Sequence, residues 1–476
     1  MLMVKQVVGS VQVIARIKRK VRLASGLDDD FVLSQVAMAR GWECLALFAE
    51  RLQDIPRENI HIVATATLRL ATNAADFVKH AQTILNHQIN IISGEEEARM
   101  IYLGVAHTSN CDSNRLVIDI GGASTEVIIG NGINPLELNS LNIGCVTFLE
   151  RYFADNSISE TNFERAIDGA CKVLESIKDD YLSAGWQSAV GASGTVQAIQ
   201  EILVSQGHAE ELTLARLESI KRQAIACGTL DKLDIKGLAQ ERRLVFVSGL
   251  SILLGIFKTL KIERMTLAGG ALREGVLYGL LMNMPHTDIR ARTLNSLLVR
   301  HHIDEKHASI VAEVASNCAN QLKDSWNLDE FEGLDILNSA AMLHELGLIV
   351  DYRKYHHHGA YILNQTELPG FSRAQKKLLT ALVSNHREGI DQGLIAKQTM
   401  TCCVLAQRLT RILRLSVILS MRRLDDVLPA VSVASDGIEL SITLPKGWLE
   451  AHPLMRAELE LEIEEQAKAG WILVVG

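Results

Sequence analysis

The chain of 476 residues is long enough for about three or four domains of ordinary size. With 48 Lys plus Arg against 56 Asp plus Glu, its formal charge of −8 excludes nucleic acid or another polyanion held by the overall field, so any anion site must be local. Eight cysteines without zinc-like spacing, two of them the adjacent Cys402 and Cys403, and no secretory leader point to reduced thiols and a cytoplasmic protein.

Val4 to Val8 and Val11 to Ile17 flank Gly9-Ser10 and read as a β-hairpin, the second run being rich in β-branched residues. Leu33 to Leu52 follows as a helix, whose Met38, Trp42, Leu45, Ala49 and Leu52 form one apolar face suited to a sheet. His61 to Ala66 and Ile89 to Ile92 read as short buried strands. A helix near Ala74 to Leu85 lies between them, and another starts at Glu95. Strands alternating with helices predict a parallel or mixed α/β sheet.

The pattern repeats after Arg115. Leu116 to Ile120, Glu126 to Ile129 and Leu136 to Ile143 read as a meander, followed by helices to Tyr181, a strand at Ser188 to Val190, more helices, a strand at Met265 to Leu267 and a closing helix. Within this region Leu244 to Phe257 is the longest uncharged apolar run; it is too short for a membrane span and reads as a buried helix. Two α/β lobes in series predict a cleft between them. Ala291 to Leu424 is helical almost throughout, and Val431 to Gly476 returns to strands around a Glu-rich helix at Met455 to Ala469.

The chemistry concentrates in RLVIDIGGASTEVIIG, Arg115 to Gly130. A buried strand ends in Asp119. Gly121 and Gly122 then let backbone amides approach an anion, Ser124 and Thr125 add hydroxyl donors, and Asp119 is placed to hold Mg²⁺. Two more glycine turns each follow an apolar strand and open a helix. They are GASGT, with Gly191, Ser193 and Gly194, and AGGALREG, with Gly269 and Gly270. Their amides and helix dipoles are expected to face the same cleft as Asp119.

ISGEEEAR, Ile92 to Arg99, enters a helix at three consecutive glutamates. Two of these are ordinary dipole partners; Glu97, turned into the cleft, could act as general base on an attacking water. Arg69, just past a strand, is a candidate for bidentate phosphate binding. The run Arg16, Lys18, Arg19, Lys20 and Arg22 is either a second basic contact or a solvated strand face. The helical segment carries His301, His302, His307, His344-Glu345, His356 to His358 and His386. HD phosphohydrolases use a His-Asp pair where this chain has His344-Glu345, so these histidines read as satisfied or exposed and no metal is assigned to them.

The string of RIKRKVRLASGL, VATATLRLA, ISGEEEAR, LVIDIGGASTE, VGASGTVQA and MTLAGGALREGVLYG, with AAMLHELGL and LPGFSRAQKKLL in the helical part, resembles the exopolyphosphatase and guanosine pentaphosphate phosphohydrolase family along nearly the whole chain. GWECLALFAERLQDIP and NIGCVTFLERYFAD resemble its guanosine pentaphosphate branch. The resemblance implies an α/β fold of two actin-like ATPase (ribonuclease H-like) lobes, 1–114 and 115–287, an all-helical HD-like domain, 291–428, and a small α/β C-terminal domain, 429–476. It implies a phosphoanhydride hydrolase that removes the terminal phosphate of guanosine pentaphosphate, leaving guanosine tetraphosphate, in the stringent response. Alternatives are an exopolyphosphatase acting on inorganic polyphosphate, a kinase built on the same lobes, and a non-catalytic sensor of guanosine polyphosphates.

By motif position Glu97 matches the family's catalytic glutamate. Asp119, Gly121, Gly122 and Ser124 match its phosphate and Mg²⁺ site, with Glu126 close by, and Arg69 matches a substrate arginine. A homodimer is expected on the same ground. Family members begin with a strand and a DxGSNS loop before a segment like MLMVKQVVGS, so the resemblance implies that roughly 15–20 residues precede Met1, a hairpin's usual size.

Overall fold

The computed structural model describes residues 1–7, 10–28, 30–109, 113–280, 289–398, 403–424 and 430–476. The expected turn at Gly9, Cys402, and the borders at 287 and 428–429 lie outside them. The chain divides into two compact units, one of Met1–Lys5 with Val11–Pro285, the other of Gln6–Ser10 with His286–Gly476.

Strands β1 (Leu2–Val7) and β2 (Ser10–Arg16) pair as a two-stranded sheet. Helix α1 (Gln35–Leu52) starts at Ser34, whose side chain accepts from the Ala37 amide and satisfies one of the free donors of the first turn. Next come β3 (Val63–Ala64), α2 (Ala66–Leu70), α3 (Ala74–Leu85), β4 (Asn90–Ile91) and α4 (Gly94–Ala106). The apolar face of α1 meets a helix and not a sheet. Trp42 stacks on Phe77 of α3 with ring centroids 5.8 Å apart, and its indole donates to the Phe77 carbonyl. The strand segments expected at 61–66 and 89–92 shrink to the two-residue pair β3 and β4, parallel as expected, with β4 exposed. A pair that short buries too little apolar surface to act as a floor for α1, and helix-on-helix packing of α1 and α3 takes over that function.

The rest of the first unit is built on a five-stranded sheet in the order β7-β6-β5-β8-β9. These strands are β5 (Asn114–Ile120), β6 (Thr125–Asn131), β7 (Asn134–Leu141), β8 (Ser188–Gly191) and β9 (Thr266–Leu267). The first three form an antiparallel meander, and β8 and β9 run parallel to β5. Helices α5 (Cys145–Tyr152), α6 (Glu160–Leu174) and α7 (Lys178–Ala184) precede β8. After it come α8 (Gly194–Ser205), α9 (Leu214–Cys227) and α10 (Arg243–Leu260), and α11 (Leu272–Leu280) follows β9.

Side chains alternate across the sheet as the two-residue period requires. Leu116, Ile118, Ile120, Val127 and Ile129 enter the large core shared with α5, α6 and α10, whereas Val117, Ile128 and Val190 pack with Ala98, Ile101 and Tyr102 of α4 on the opposite face. Asp119 shares the phase of Val117, and Glu126 that of Ile128, so both carboxylates belong to the face that α4 covers. The apolar stretch predicted as a buried helix is the core of α10. Among the described residues Gln240–Leu260 is the one helical stretch long and apolar enough to cross a membrane, and 78% of its apolar window is buried inside the protein.

The second unit holds α12 (Ile289–Arg300), α13 (Glu305–Trp326), α14 (Gly333–Leu343), α15 (Tyr355–Gln365), α16 (Arg373–Asn385), α17 (Gln392–Ala396) and α18 (Cys403–Leu419). It ends in β10 (Ser432–Asp436), β11 (Glu439–Thr443), α19 (Trp448–Ala451), α20 (Pro453–Lys468) and β12 (Ile472–Val475). Helices and C-terminal sheet share one apolar core. Buried Arg414 joins them through Glu462 at 2.7 Å, and Arg411 through the Ile472 carbonyl at 2.6 Å.

Candidate active site

The register of the sheet places three polar side chains in one row. Asp119 stands opposite Glu126 across β5 and β6, and Glu126 stands opposite Ser140 across β6 and β7. Like charges directly opposite each other on a sheet are unfavourable, so this row needs compensation. Some is local: Ser124 and Ser140 each donate to Glu126 Oε1 at 2.7 Å. Glu97, 6% exposed, comes onto the same face from the first turn of α4, where the Ser93 side chain caps the helix. Of the three consecutive glutamates it is the buried one; Glu95 and Glu96 lie at the surface with Arg99.

Burial and neighbouring charge perturb Asp119 and Glu126. Burial first, and then the charge of Glu97, pushes Asp119 up to about 7. Burial also raises Glu126, with Glu97 and Asp119 adding to the shift. Buried, acidic and all oxygen, this set lacks positive charge of the hard-cation kind, so Asp119 with Glu126 fits Mg²⁺. Arg69 supplies part of the compensation, its Nη1 lying 3.0 Å from Glu97 Oε2 and from the Ile92 carbonyl, with Nη2 3.4 Å from Ser140 Oγ. Arg69 is thereby the group that orients Glu97, and only its remaining donors are left for an anion.

The glycine turn between β5 and β6 is pinned from behind. The carbonyls of Gly121 and Gly122 accept from Cys145 and Val146, the first amides of α5, at 2.9 Å each. Gly121 donates to the Ser124 carbonyl at 2.8 Å; among the described residues the amides of Gly122, Ala123 and Ser124 have no protein acceptor. Three uncommitted donors in consecutive residues form a ready anion cradle. Gly144 allows the pinning, since a Cβ there would lie 2.3 Å from the Gly122 carbonyl oxygen and 2.4 Å from the Ala123 nitrogen. Gly144→Ala is therefore expected to lose about 1–3 kcal/mol of stability through overpacking and to weaken substrate binding, as read by urea melts and KM. Wild-type values in both would remove the turn from the site.

The other two glycine turns follow β8 and β9, at the same sheet edge as Asp119 because β5, β8 and β9 are parallel. At the first, Gly191 allows close approach of Val196, and Ser193 caps α8 by accepting from the Val196 amide. A Cβ on Gly194 would lie 2.2 Å from Arg242 Nη1. A guanidinium against a helix N-terminus has the sign the dipole disfavours, and an anion between them resolves it. At the second turn Gly270 packs on α4, where a Cβ would come within 2.5 Å of the Gly104 carbonyl oxygen, while Gly269 is exposed.

Arg242 belongs to a group of cations. Lys18 is held below the usual lysine range by desolvation and then by Arg242 and Arg273. Among the described residues no carboxylate pairs with Lys18, Arg242 or Arg273. Arg242 and Asp119 also act with opposite sign on Cys145, whose thiol burial pushes up to about 11. Of the basic run near the N-terminus, Arg16 pairs with Glu274 at 3.4 Å and Lys20 reaches the Glu241 carbonyl at 2.8 Å, while Lys18 is the member that feels Arg242 and Arg273. Ser140, Gly144, Arg242 and Arg273 were not candidates from the sequence. For Gly144 and Arg273 a signal existed, since both lie inside motifs that carry the resemblance.

Residues 2–284 match the Ppx/GppA phosphatase family, and residues 289–463 match Ppx/GppA phosphatase, domain III. A guanosine-5'-triphosphate,3'-diphosphate pyrophosphatase of Pseudoalteromonas translucida is 54% identical over 475 residues, covering 100% of this chain and 95% of its own. One of the same name from Aeromonas hydrophila is 52% identical over 471 residues, covering 99% and 95%. Among solved structures, an exopolyphosphatase from Cytophaga hutchinsonii aligns with TM-score 0.54 at 23% identity, over 60% of this chain and 95% of that one. A Ppx/GppA family member from Aquifex aeolicus aligns with TM-score 0.50 at 21% identity, over 60% and 94%. These likenesses show the shared fold.

Proposed function

The chain belongs to the Ppx/GppA phosphatase family, and we propose that it hydrolyses the terminal phosphoanhydride of guanosine pentaphosphate, releasing orthophosphate and leaving guanosine tetraphosphate. One observation carries this reading. Crowded carboxylates, Glu97, Asp119 and Glu126, share a sheet edge with three amides that, among the described residues, have no backbone acceptor and with Lys18, Arg242 and Arg273, which among the same residues have no ion pair. That combination suits a polyanion whose end must be attacked by water.

The amides of Gly122, Ala123 and Ser124 hold oxygens of the terminal phosphoryl group. Arg242, at the start of α8 with Ser193 and Gly194, takes the next phosphates, and Lys18 and Arg273 neutralise the chain beyond. Arg69 fixes the Glu97 carboxylate, which accepts a proton from the attacking water as the oxygen–phosphorus bond forms. Asp119 with Glu126 would hold Mg²⁺, and the ion would neutralise phosphoryl charge there. Catalysis on this scheme is positioning and electrostatics, with no covalent enzyme intermediate.

Phosphate release from guanosine pentaphosphate with Mg²⁺ tests the scheme. Stoichiometric orthophosphate and guanosine tetraphosphate are expected, with polyphosphate as the poorer competing substrate. Faster turnover of polyphosphate would favour an exopolyphosphatase, and calorimetric binding without phosphate release a sensor. Arg242→Gln is expected to raise KM roughly tenfold to a hundredfold, the worth of about 1.5–3 kcal/mol for a hydrogen bond to a charged group, with a smaller effect on kcat. An unchanged KM would take Arg242 out of the binding site.

A further inference from the structure

The second unit buries a histidine cluster that this reaction does not use. His307 on α13, His344 and Glu345 just past α14, and His386 at the end of α16 are all at least nine-tenths buried. The expectation of satisfied or exposed histidines holds for His302 and His357, which are exposed, and fails for His307, His356 and His386, each of which has an enclosed ring nitrogen without a partner. His307 Nδ1 and His386 Nε2 are enclosed without a hydrogen-bond partner. An unpaired buried polar atom is costly, and each such atom calls for an explanation.

The ring orientations supply one. His344 Nδ1 lies 2.7 Å from the Ala341 carbonyl and His386 Nδ1 2.7 Å from the Val383 carbonyl. A carbonyl only accepts, so both Nδ1 atoms carry the hydrogen and both Nε2 atoms present a lone pair. Metal-ligating histidines are oriented in this way. The His344 ring stands 5.4 Å from that of His307 and 5.5 Å from that of His386. One ligand atom each from His307, His344 and Glu345 lies within 4.8 Å of the other two. Arg423 donates to Glu345 Oε1 and pairs with Asp304 at 3.3 Å, which fixes the carboxylate, and the same Oε1 lies 3.9 Å from His307 Nε2.

We infer that His307, His344 and Glu345 bind one zinc-class divalent cation, with His386 Nε2 next in reach as a fourth ligand. Two imidazoles and a carboxylate are a borderline-soft set that suits Zn²⁺ and not Mg²⁺ or Ca²⁺, which take oxygen ligands. The ion would join α13 and α14, with α16 alongside, and His307 and His386 each carry one of the orphaned ring nitrogens. Its chemistry separates it from the all-oxygen site at Asp119.

The test uses the full chain, stripped by chelator and titrated with ZnCl₂, and with CoCl₂ for its visible absorption. Wild type is expected to take up one equivalent with imidazole-type absorption, and both Glu345→Gln and His307→Gln to weaken that uptake by about tenfold or more. Asp119→Asn is expected to leave it intact, which separates failure here from failure of the phosphatase reading. X-ray absorption of zinc-loaded wild type, which needs no variant to fold, should show two or three imidazoles in the first shell. An oxygen-only shell, no uptake by wild type, or uptake unchanged in folded Glu345→Gln would overturn the inference.

Discussion

Replacing Glu97 by Gln is expected to lower kcat by roughly 10²–10⁴ with little change in KM, the range for loss of a positioned general base. Gln is nearly isosteric, and its carbonyl oxygen can still accept from Arg69 Nη1, which lies 3.0 Å from the carboxylate it replaces. The fold around α4 and the anion cradle should therefore survive, so the loss reads out proton acceptance, while Asp119 and Glu126 ionise more readily without the Glu97 charge. Single-turnover measurement places the loss in the chemical step and not in product release. Glu96→Gln is the control: Glu96 sits in the same helical turn but pairs with Arg99 at the surface, so its variant should turn over like wild type. Glu97→Gln within about threefold of wild type would remove Glu97 from the mechanism, and equal losses in both variants would point to a general effect on the helix.

Glu97 was picked from three adjacent glutamates by motif position, through its match to the family's catalytic glutamate. The acidic first turn made a helix start legible, and the structure adds that helical spacing sends the three side chains in different directions. Asp119 was legible locally, because an apolar strand running into two glycines fixes where the strand ends. What the chain does not reveal locally is pairing. Ser140 joins the site only because β7 takes its register from β6, and Arg242 arrives from just before a helix far along the chain, with no motif around it. The first lobe was misread where strand propensity was real but too short to build a sheet, as at Val63–Ala64. The histidines of the second unit were misread because helical spacing tells which residues share a face and not whether their ring nitrogens find partners.

Asp119→Asn is expected to abolish Mg²⁺-dependent turnover and at the same time to stabilise the metal-free protein. In the unfolded chain this carboxyl ionises near 3.8, and in the fold burial and Glu97 raise it to about 7. Between those values the native state keeps a proton that the unfolded state gives up, so stability falls as pH rises through this window and is flat above it. Each pH unit is worth about 1.4 kcal/mol, so over the roughly three units between those values the ionised group costs on the order of 4 kcal/mol above pH 7. Asparagine is neutral in both states and carries none of this cost. The difference in Tm between variant and wild type should grow from pH 5.5 to pH 7, then level off several degrees in the variant's favour. Millimolar Mg²⁺ should raise wild-type Tm and close the gap, because the carboxylate then has its counter-charge, whereas the variant should respond weakly. The same proton governs activity: at limiting Mg²⁺ the wild-type rate should climb up to about tenfold per unit below pH 7, as proton and cation compete for one carboxylate. A variant that keeps the wild-type Mg²⁺ response, or that melts lower than wild type at pH 8 without metal, would mean that Asp119 neither holds the cation nor carries the strain assigned to it.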